Sequence, residues 1–315
     1  MKILVLVASA LLLPQPAARA EAPGAANPKA VLVTGASTGI GRKVTERLAA
    51  NGYFVYAGAR KDADLESLNA IKNVQGIRLD VTKPDEIAAA VAAVAQGGRG
   101  LWGLVNNAGV AVTGPFSELK DEDFDYVMQV NAYGPFRVTK AFLPLVTASK
   151  GRIVTISSIS GILSSPNLGV YSMSKHAVEA FGDSLSRQLE AREVASILVE
   201  PGNYNSQIGA TAEKRMGQSD SRINDRSRYK EPDEVAAAVE QALSEASPKH
   251  RYMVVPNAEE ADITIRQAIR ELVQLNEGQP YTYSRDALVG MLDEALKSAR
   301  PATPAAPSPG AVNAD

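Results

Sequence analysis

Tyr171 and Lys175 stand four residues apart in the stretch Tyr171-Ser172-Met173-Ser174-Lys175. Residues at i and i+4 share one face of a helix, so this spacing sets a phenol beside an ammonium. A free tyrosine ionises near ~10, too high to trade protons readily at neutral pH. A neighbouring cation favours the phenolate and pulls that value down. The result is a proton donor and acceptor suited to a carbonyl oxygen or an alcohol. Of the ten tyrosines, only Tyr171 has a lysine four residues on. His176 follows directly, but adjacent residues diverge around a helix. That turns His176 off the Tyr171 face and suits packing or an interface.

Such a pair needs a scaffold, and the pattern of the chain predicts one. Ala30–Val33, Tyr53–Ala59, Gly76–Leu79, Leu101–Val105, Arg152–Ile156, Ala195–Val199 and Tyr252–Val255 read as short buried strands. Amphipathic helical patterns lie between them, among them Lys83–Gln96, Asp121–Val146 and Gly169–Ala191. Alternating strands and helices imply βαβ units and a parallel sheet covered on both faces. The predicted class is α/β, a single-domain doubly wound sheet of the Rossmann type with about seven strands. Trp102 is placed in the fourth strand and in the core. Pro232-Asp233-Glu234 opens a helix with acids at its N-terminus, where the helix dipole favours them. Residues 203–231 show no clear periodicity and follow Pro201-Gly202 at a strand end. Ligands of open α/β sheets bind outside the carboxyl ends of the strands, so this irregular segment reads as a substrate lid.

The first strand runs into Thr34-Gly35-Ala36-Ser37-Thr38-Gly39-Ile40-Gly41, followed by a helical pattern with Val44 and Leu48. Strand, glycine-rich turn and helix together build a pyrophosphate cradle: glycines allow close approach, and the helix N-terminus attracts anionic oxygens. Gly35, Ser37, Thr38, Gly39, Ile40 and Gly41 are the candidate contacts. The second strand ends at Arg60, with no carboxylate before Asp62. An enzyme that grips the free 2′-hydroxyl of NAD usually places an acid there. A guanidinium instead suits a 2′-phosphate, which favours NADP(H) and leaves NAD(H) as the alternative. Asp80, ending the third strand, could accept from the adenine amino group or simply cap a turn.

The chain has 315 residues, 45% of them hydrophobic, and a formal net charge of −2. No basic field invites nucleic acid. Cysteine is absent, which removes disulfides, thiolate catalysis and Cys-ligated zinc. With only His176 and His250, a multi-histidine metal site is not expected. Residues 1–20 have the layout of a secretory signal: Lys2, an apolar run from Ile3 to Leu13, then Ala18-Arg19-Ala20. Export to the periplasm is the expectation, with an uncleaved anchor, an over-extended start site and a cytoplasmic protein as alternatives. The run is short for a stable membrane span. Residues 21–28 read as a linker, residues 29–299 as the dinucleotide-binding domain, and residues 300–315 as a disordered Pro/Ala-rich tail.

These segments together resemble the short-chain dehydrogenase/reductase family, in its common single-domain branch, over residues 29–260. Thr34–Gly41 is similar to the family's glycine-rich segment. Asn106-Asn107-Ala108-Gly109 resembles its signature after the fourth strand, with Asn107, Ala108 and Gly109 at the cofactor. Asn131 resembles its helical active-site asparagine. Ser158, thirteen residues before Tyr171, resembles its catalytic serine. Tyr171 and Lys175 match its catalytic pair, and Pro201-Gly202 the motif before the nicotinamide contact. Where the family often has a threonine after that motif, this chain has Asn203-Tyr204-Asn205-Ser206, with Ser206 the substitute. The resemblance implies an oxidoreductase acting on a small carbonyl or alcohol substrate, as a homodimer or homotetramer. It implies that Tyr171 exchanges the proton and that Lys175 tunes Tyr171 and holds the nicotinamide ribose. Ser158 would donate to the substrate oxygen, and Asn131 would hold a water linking Lys175 to solvent. The segment around Tyr171 looks closest to members acting on retinoids and hydroxysteroids, yet residues 207–231 are polar for an apolar pocket. A catalytically silent dinucleotide-binding regulator is the competing class, and an NAD-dependent dehydrogenase the competing member of the same family.

Overall fold

The computed structural model describes residues 28–217 and 229–298. The expected signal segment, all but the last residue of the expected linker, and the Pro/Ala-rich tail lie outside the described residues. Seven parallel strands form one sheet in the order β3-β2-β1-β4-β5-β6-β7. They are β1 (Ala30–Val33), β2 (Phe54–Ala59), β3 (Val74–Arg78), β4 (Gly103–Asn106), β5 (Arg152–Ile156), β6 (Ala195–Pro201) and β7 (Arg251–Val254). Parallel neighbours require crossovers, and helices supply them. These are α1 (Gly39–Ala50), α2 (Asp62–Asn69), α3 (Pro84–Gln96), α4 (Asp121–Asn131), α5 (Tyr133–Ala148), α6 (Gly169–Leu189), α7 (Ile208–Met216) and α8 (Asp233–Ser244). Two more, α9 (Ala258–Asn276) and α10 (Arg285–Ser298), follow the last strand.

Every residue of β1, β4 and β5 is buried, as expected for strands covered on both faces. One face packs under α3, α4, α5 and α6 through Ile87, Val94, Val127, Phe142 and Leu185. The other packs under α1 and α8 through Val44, Leu48, Val235 and Leu243. Pro84 opens α3 ahead of Asp85 and Glu86, and Asp121, Glu122 and Asp123 fill the first turn of α4. Both arrangements suit the positive end of a helix dipole.

Four expectations need correction. The helix expected over Asp121–Val146 is two helices that break at Ala132. Pro135 has no N–H to donate to the Asn131 carbonyl. Gly134 meanwhile lets the chain approach Val81, whose Cγ2 would lie 2.8 Å from any added Cβ. Trp102 precedes β4 instead of lying in it and is only half-buried. Its indole donates to Leu243 O at 3.2 Å, and Lys29 Nζ sits 3.6 Å above the ring. The segment 203–231, expected to be irregular, contains α7; residues 218–228 lie outside the described set. Asp80 stands beyond the end of β3, in the turn that leads to α3.

The site depends on how closely α6 lies on β6. At Gly182 an added Cβ would come within 2.7 Å of Leu198 Cγ. Overpacking of this kind typically costs about 1–3 kcal/mol. Gly182→Ala is therefore expected to lower the urea-unfolding free energy by that amount; an unchanged midpoint would mean that the helix does not sit this close.

Candidate active site

The ends of β1, β2, β4, β5 and β6 open into a cleft of about 500 Å3. Its floor is the turn between β1 and α1. Gly35 and Gly39 have φ of +65° and +55°, a conformation that favours glycine. A Cβ on Gly41 would meet Gly35 O at 2.3 Å and Asn107 Nδ2 at 2.4 Å, so only a bare backbone closes this turn. The positive end of α1 then points into the cleft, as an anionic group requires. Ser37, Thr38 and Ile40 also line it.

The loop after β4 is fastened to that turn. Thr34 Oγ1 accepts from the N–H groups of Asn107 and Ala108 at 2.9 and 3.0 Å. Asn107 Nδ2 donates to Thr34 O and Gly35 O at 2.9 and 3.1 Å. Thr34 stood inside the motif read from sequence, but its clamping role was not legible there. It depends on a residue more than seventy positions away.

Asn131 lies behind the cleft and does not line it. Its Oδ1 accepts from Val110 N at 2.9 Å, and its Nδ2 donates to Val110 O at 2.8 Å and Ser174 Oγ at 2.9 Å. Ser174 Oγ in turn donates to Tyr171 O at 2.7 Å. The side chain thus fixes α4, the β4 loop and α6 together, with both amide hydrogens committed. The Asn131 backbone carbonyl is left without an i+4 donor by Pro135.

Tyr171 and Lys175 project from the first two turns of α6 into the same cleft. Lys175 is 5% exposed, and its Nζ donates to Ile156 O at 2.9 Å and sits 5.6 Å from the centre of the Tyr171 ring. Burial pulls its pKa down to about 8, with the charge of Glu179 opposing the fall. Ser158 caps a 3-10 turn at Ile159–Gly161, accepting from Ser160 N at 3.1 Å and leaning toward Pro201 O at 3.4 Å. His176 is exposed, its Nδ1 2.9 Å from Ser172 O, off the Tyr171 face as expected.

The loop after β6 closes the cleft from above. Pro201, Gly202 and Ser206 all line it, and Ser206 Cβ lies 3.3 Å from where a Cβ of Gly39 would stand. Tyr204 anchors the loop from below by donating to Glu234 Oε2 at 2.5 Å. Glu260 of α9 accepts from Asn203 N at 2.9 Å. Arg60 and Asp80 line the far end. Asp80 Oδ1 accepts from both N and Oγ1 of Thr82, at 2.9 and 2.7 Å, so this oxygen caps a turn. Asp62, the acid nearest to Arg60 in the chain, is paired with Arg78.

Residues 29–217, more than half of the chain, match the short chain dehydrogenase family. The chain belongs to that family. It is 38% identical over 198 residues to the mitochondrial D-beta-hydroxybutyrate dehydrogenase of Rattus norvegicus, covering 60% of this chain and 57% of that one. It is 38% identical over 204 residues to retinol dehydrogenase 16 of Homo sapiens, covering 63% of each. The chain thus spans less than two thirds of the length of these curated relatives. Among solved structures it is similar to an alcohol dehydrogenase from the archaeon Thermococcus sibiricus complexed with 5-hydroxy-NADP. There the TM-score is 0.63 and the identity 26%, over 72% of this chain and 95% of that one.

One part of the cleft was missed in the sequence. Leu163, Leu168, Ile208 and Ile263 form its apolar end, together with Ser160, Ser165 and Thr211. Expectation centred on residues 207–231, which are polar. The apolar lining comes from three separated segments, the loop before α6, α7 and α9, and of these apolar residues only Ile208 lies within 207–231.

A buried ammonium is costly, and this one is held by a backbone carbonyl. Lowering a lysine from 10.5 to about 8 corresponds to a penalty of about 3 kcal/mol on the charged form. The folded value lies below the unfolded one, so this group disfavours folding below about pH 8, and the penalty fades as pH rises toward 10.5. Lys175→Met, after losing a hydrogen bond worth about 1 kcal/mol, is expected to stabilise the fold at pH 7 by about 1–2 kcal/mol. The gain should shrink at pH 10. Urea unfolding at the two pH values checks this, and a loss of stability at pH 7 would contradict it.

Proposed function

We propose that this chain is an NADP(H)-dependent oxidoreductase that interconverts a neutral secondary alcohol and its ketone, or an aldehyde. The observation that carries the reading is that Tyr171 and the buried Lys175 face the same cleft as the Gly35–Gly41 turn. The floor supports a dinucleotide because it has bare backbone at Gly41, a helix N-terminus, and an added Cβ would fill the cradle. When bound, the nicotinamide supplies or takes up the hydride; everything else falls to the chain. The Gly35–Gly41 turn would hold the pyrophosphate, Asn107–Gly109 and Lys175 the nicotinamide ribose, and Pro201, Gly202 and Ser206 the carboxamide side.

In the reductive direction Tyr171 Oη gives its proton to the substrate oxygen as negative charge develops there. The Lys175 ammonium favours the phenolate left behind. Ser158 Oγ, turning its hydrogen from Pro201 O, donates to the same substrate oxygen. The phenolate of Tyr171 would regain a proton from solvent along a water-linked path past the Asn131 carbonyl and Lys175. In the oxidative direction the same groups work in reverse.

Arg60 at the cleft edge, with Asp62 already paired, supports NADP(H) over NAD(H). Among the described lining residues, the charged ones are Arg60, Asp80 and Lys175, all assigned to the cofactor or the proton. Among the described residues this apolar lining offers no cation to a carboxylate, which supports a neutral substrate of the retinol type over one like hydroxybutyrate. Exposed Tyr133, Phe136 and Met173 on α5 and α6 support a homo-oligomer, which sedimentation would test. The leader-like residues 1–20 support export, which mass spectrometry of the mature N-terminus would test.

Two variants test the site. Tyr171→Phe is expected to lose at least about a hundredfold in turnover with a neutral ketone panel while NADPH affinity, read by fluorescence, stays within about threefold. Arg60→Asp is expected to weaken NADPH by about tenfold or more and to improve NADH. Equal losses with both cofactors would remove the 2′-phosphate role, and full turnover by Tyr171→Phe would remove the mechanism.

A further inference from the structure

Behind the reactive pair, α6 carries a column of ionisable groups. Tyr171, Lys175, Glu179 and Asp183 recur every four residues and so share one face of the helix. That face looks onto β6 and β7, where Glu200 and Arg251 stand. The Glu179 carboxylate lies against the turn that carries Ser158: a Cβ at Gly161 would meet Glu179 Oε1 at 3.0 Å and Ser157 Oγ at 3.1 Å. The turn itself, Ile159-Ser160-Gly161, offers no ionisable side chain.

The wiring is specific. Arg251 Nε reaches Glu179 Oε2 at 3.2 Å and Glu200 Oε1 at 3.1 Å, and its Nη2 donates to Asp183 Oδ1 at 2.5 Å. His250 Nε2 lies 2.8 Å from the same Asp183 oxygen. Glu200 is 3% exposed, and it shares the Arg251 guanidinium with Glu179.

Burial, then the charge of Glu179, raises Glu200 to about 7 against the pull of Arg251. Glu179 is also the group whose charge favours the ammonium of Lys175. Glu200 ionises at about 7, just below the value of about 8 for Lys175. A second negative charge arrives behind the lysine as it is needed.

We propose that Glu179, with Glu200 beside it across Arg251, is a positioning residue that holds Lys175 in its ammonium form, so that these two carboxyls set how far into the alkaline range the reaction runs. The kinetic half of this proposal rests on the function proposed above; the electrostatic half does not.

The test titrates Lys175 directly, in ligand-free protein labelled with 13C at lysine Cε, its resonance assigned by absence from Lys175→Met. In the unaltered chain the midpoint is expected near 8. In Glu179→Gln it is expected to fall by about half a unit or more, and in Glu200→Gln by less. The alkaline limb of kcat/KM for NADPH-driven reduction should move down with it, the plateau staying within about threefold. Unmoved lysine midpoints in both variants overturn the proposal, as does a lowered plateau with an unmoved limb. Should Glu179→Gln not fold, Glu200→Gln carries the test alone, and an unmoved midpoint there overturns it. If the midpoint shifts but no carbonyl is reduced by any form, this proposal stands and the proposed function falls.

Discussion

One ammonium held almost out of water governs this molecule. Lys175 gains a single backbone partner, Ile156 O, in exchange for the hydration it gives up. That exchange is unfavourable for folding, and nothing in the stability of the sheet requires it. The burial makes sense as a source of field: in a water-poor site a fixed positive charge acts strongly on the phenol one turn away. The rest of the architecture keeps that charge where it is.

Three polar clamps do so, each joining segments far apart in the chain. Thr34 and Asn107 tie the glycine turn to the loop after β4. Asn131 ties that loop to α6 through Val110 and Ser174. Glu260 ties the loop after β6 to the start of α9. Buried polar groups this fully satisfied have few alternative arrangements, so they specify one geometry more than they add stability. Small residues complete the job: Gly41, Gly134 and Gly182 let backbone approach side chains that a Cβ would push away.

Much of this could be read in the sequence because its signals are local. Buried parallel strands appear as apolar runs, which placed β1 and β5 to the residue. The glycine turn, the tyrosine–lysine pair and Ser158 sit at fixed offsets within single elements, and the fold brings them to one cleft. What stayed hidden is nonlocal. Asn131 has the composition of a catalytic residue, but its side chain serves as a strut, because Val110 and Ser174 arrive from other segments. The break at Ala132 followed from Pro135, yet the apolar pattern ran on across it. Leu163, Leu168, Ile208 and Ile263 carry no common pattern, so an apolar pocket end assembled from them was invisible. The helices α9 and α10 show amphipathic stripes, but Ile265, Ile269, Leu272 and Leu292 remain exposed: a stripe tells that a face is apolar, not what it meets.

The central claim is that the charge on Lys175 drives proton exchange at Tyr171. Single-turnover oxidation of enzyme-saturated NADPH by a neutral ketone, followed from pH 6 to 10, tests it most directly in the unaltered chain and in Lys175→Met. The account predicts that the unaltered chain slows above about pH 8, where the lysine sheds its proton, and that the variant is slower by at least about a hundredfold with no such limb. A variant that matches the unaltered chain across that range would contradict it.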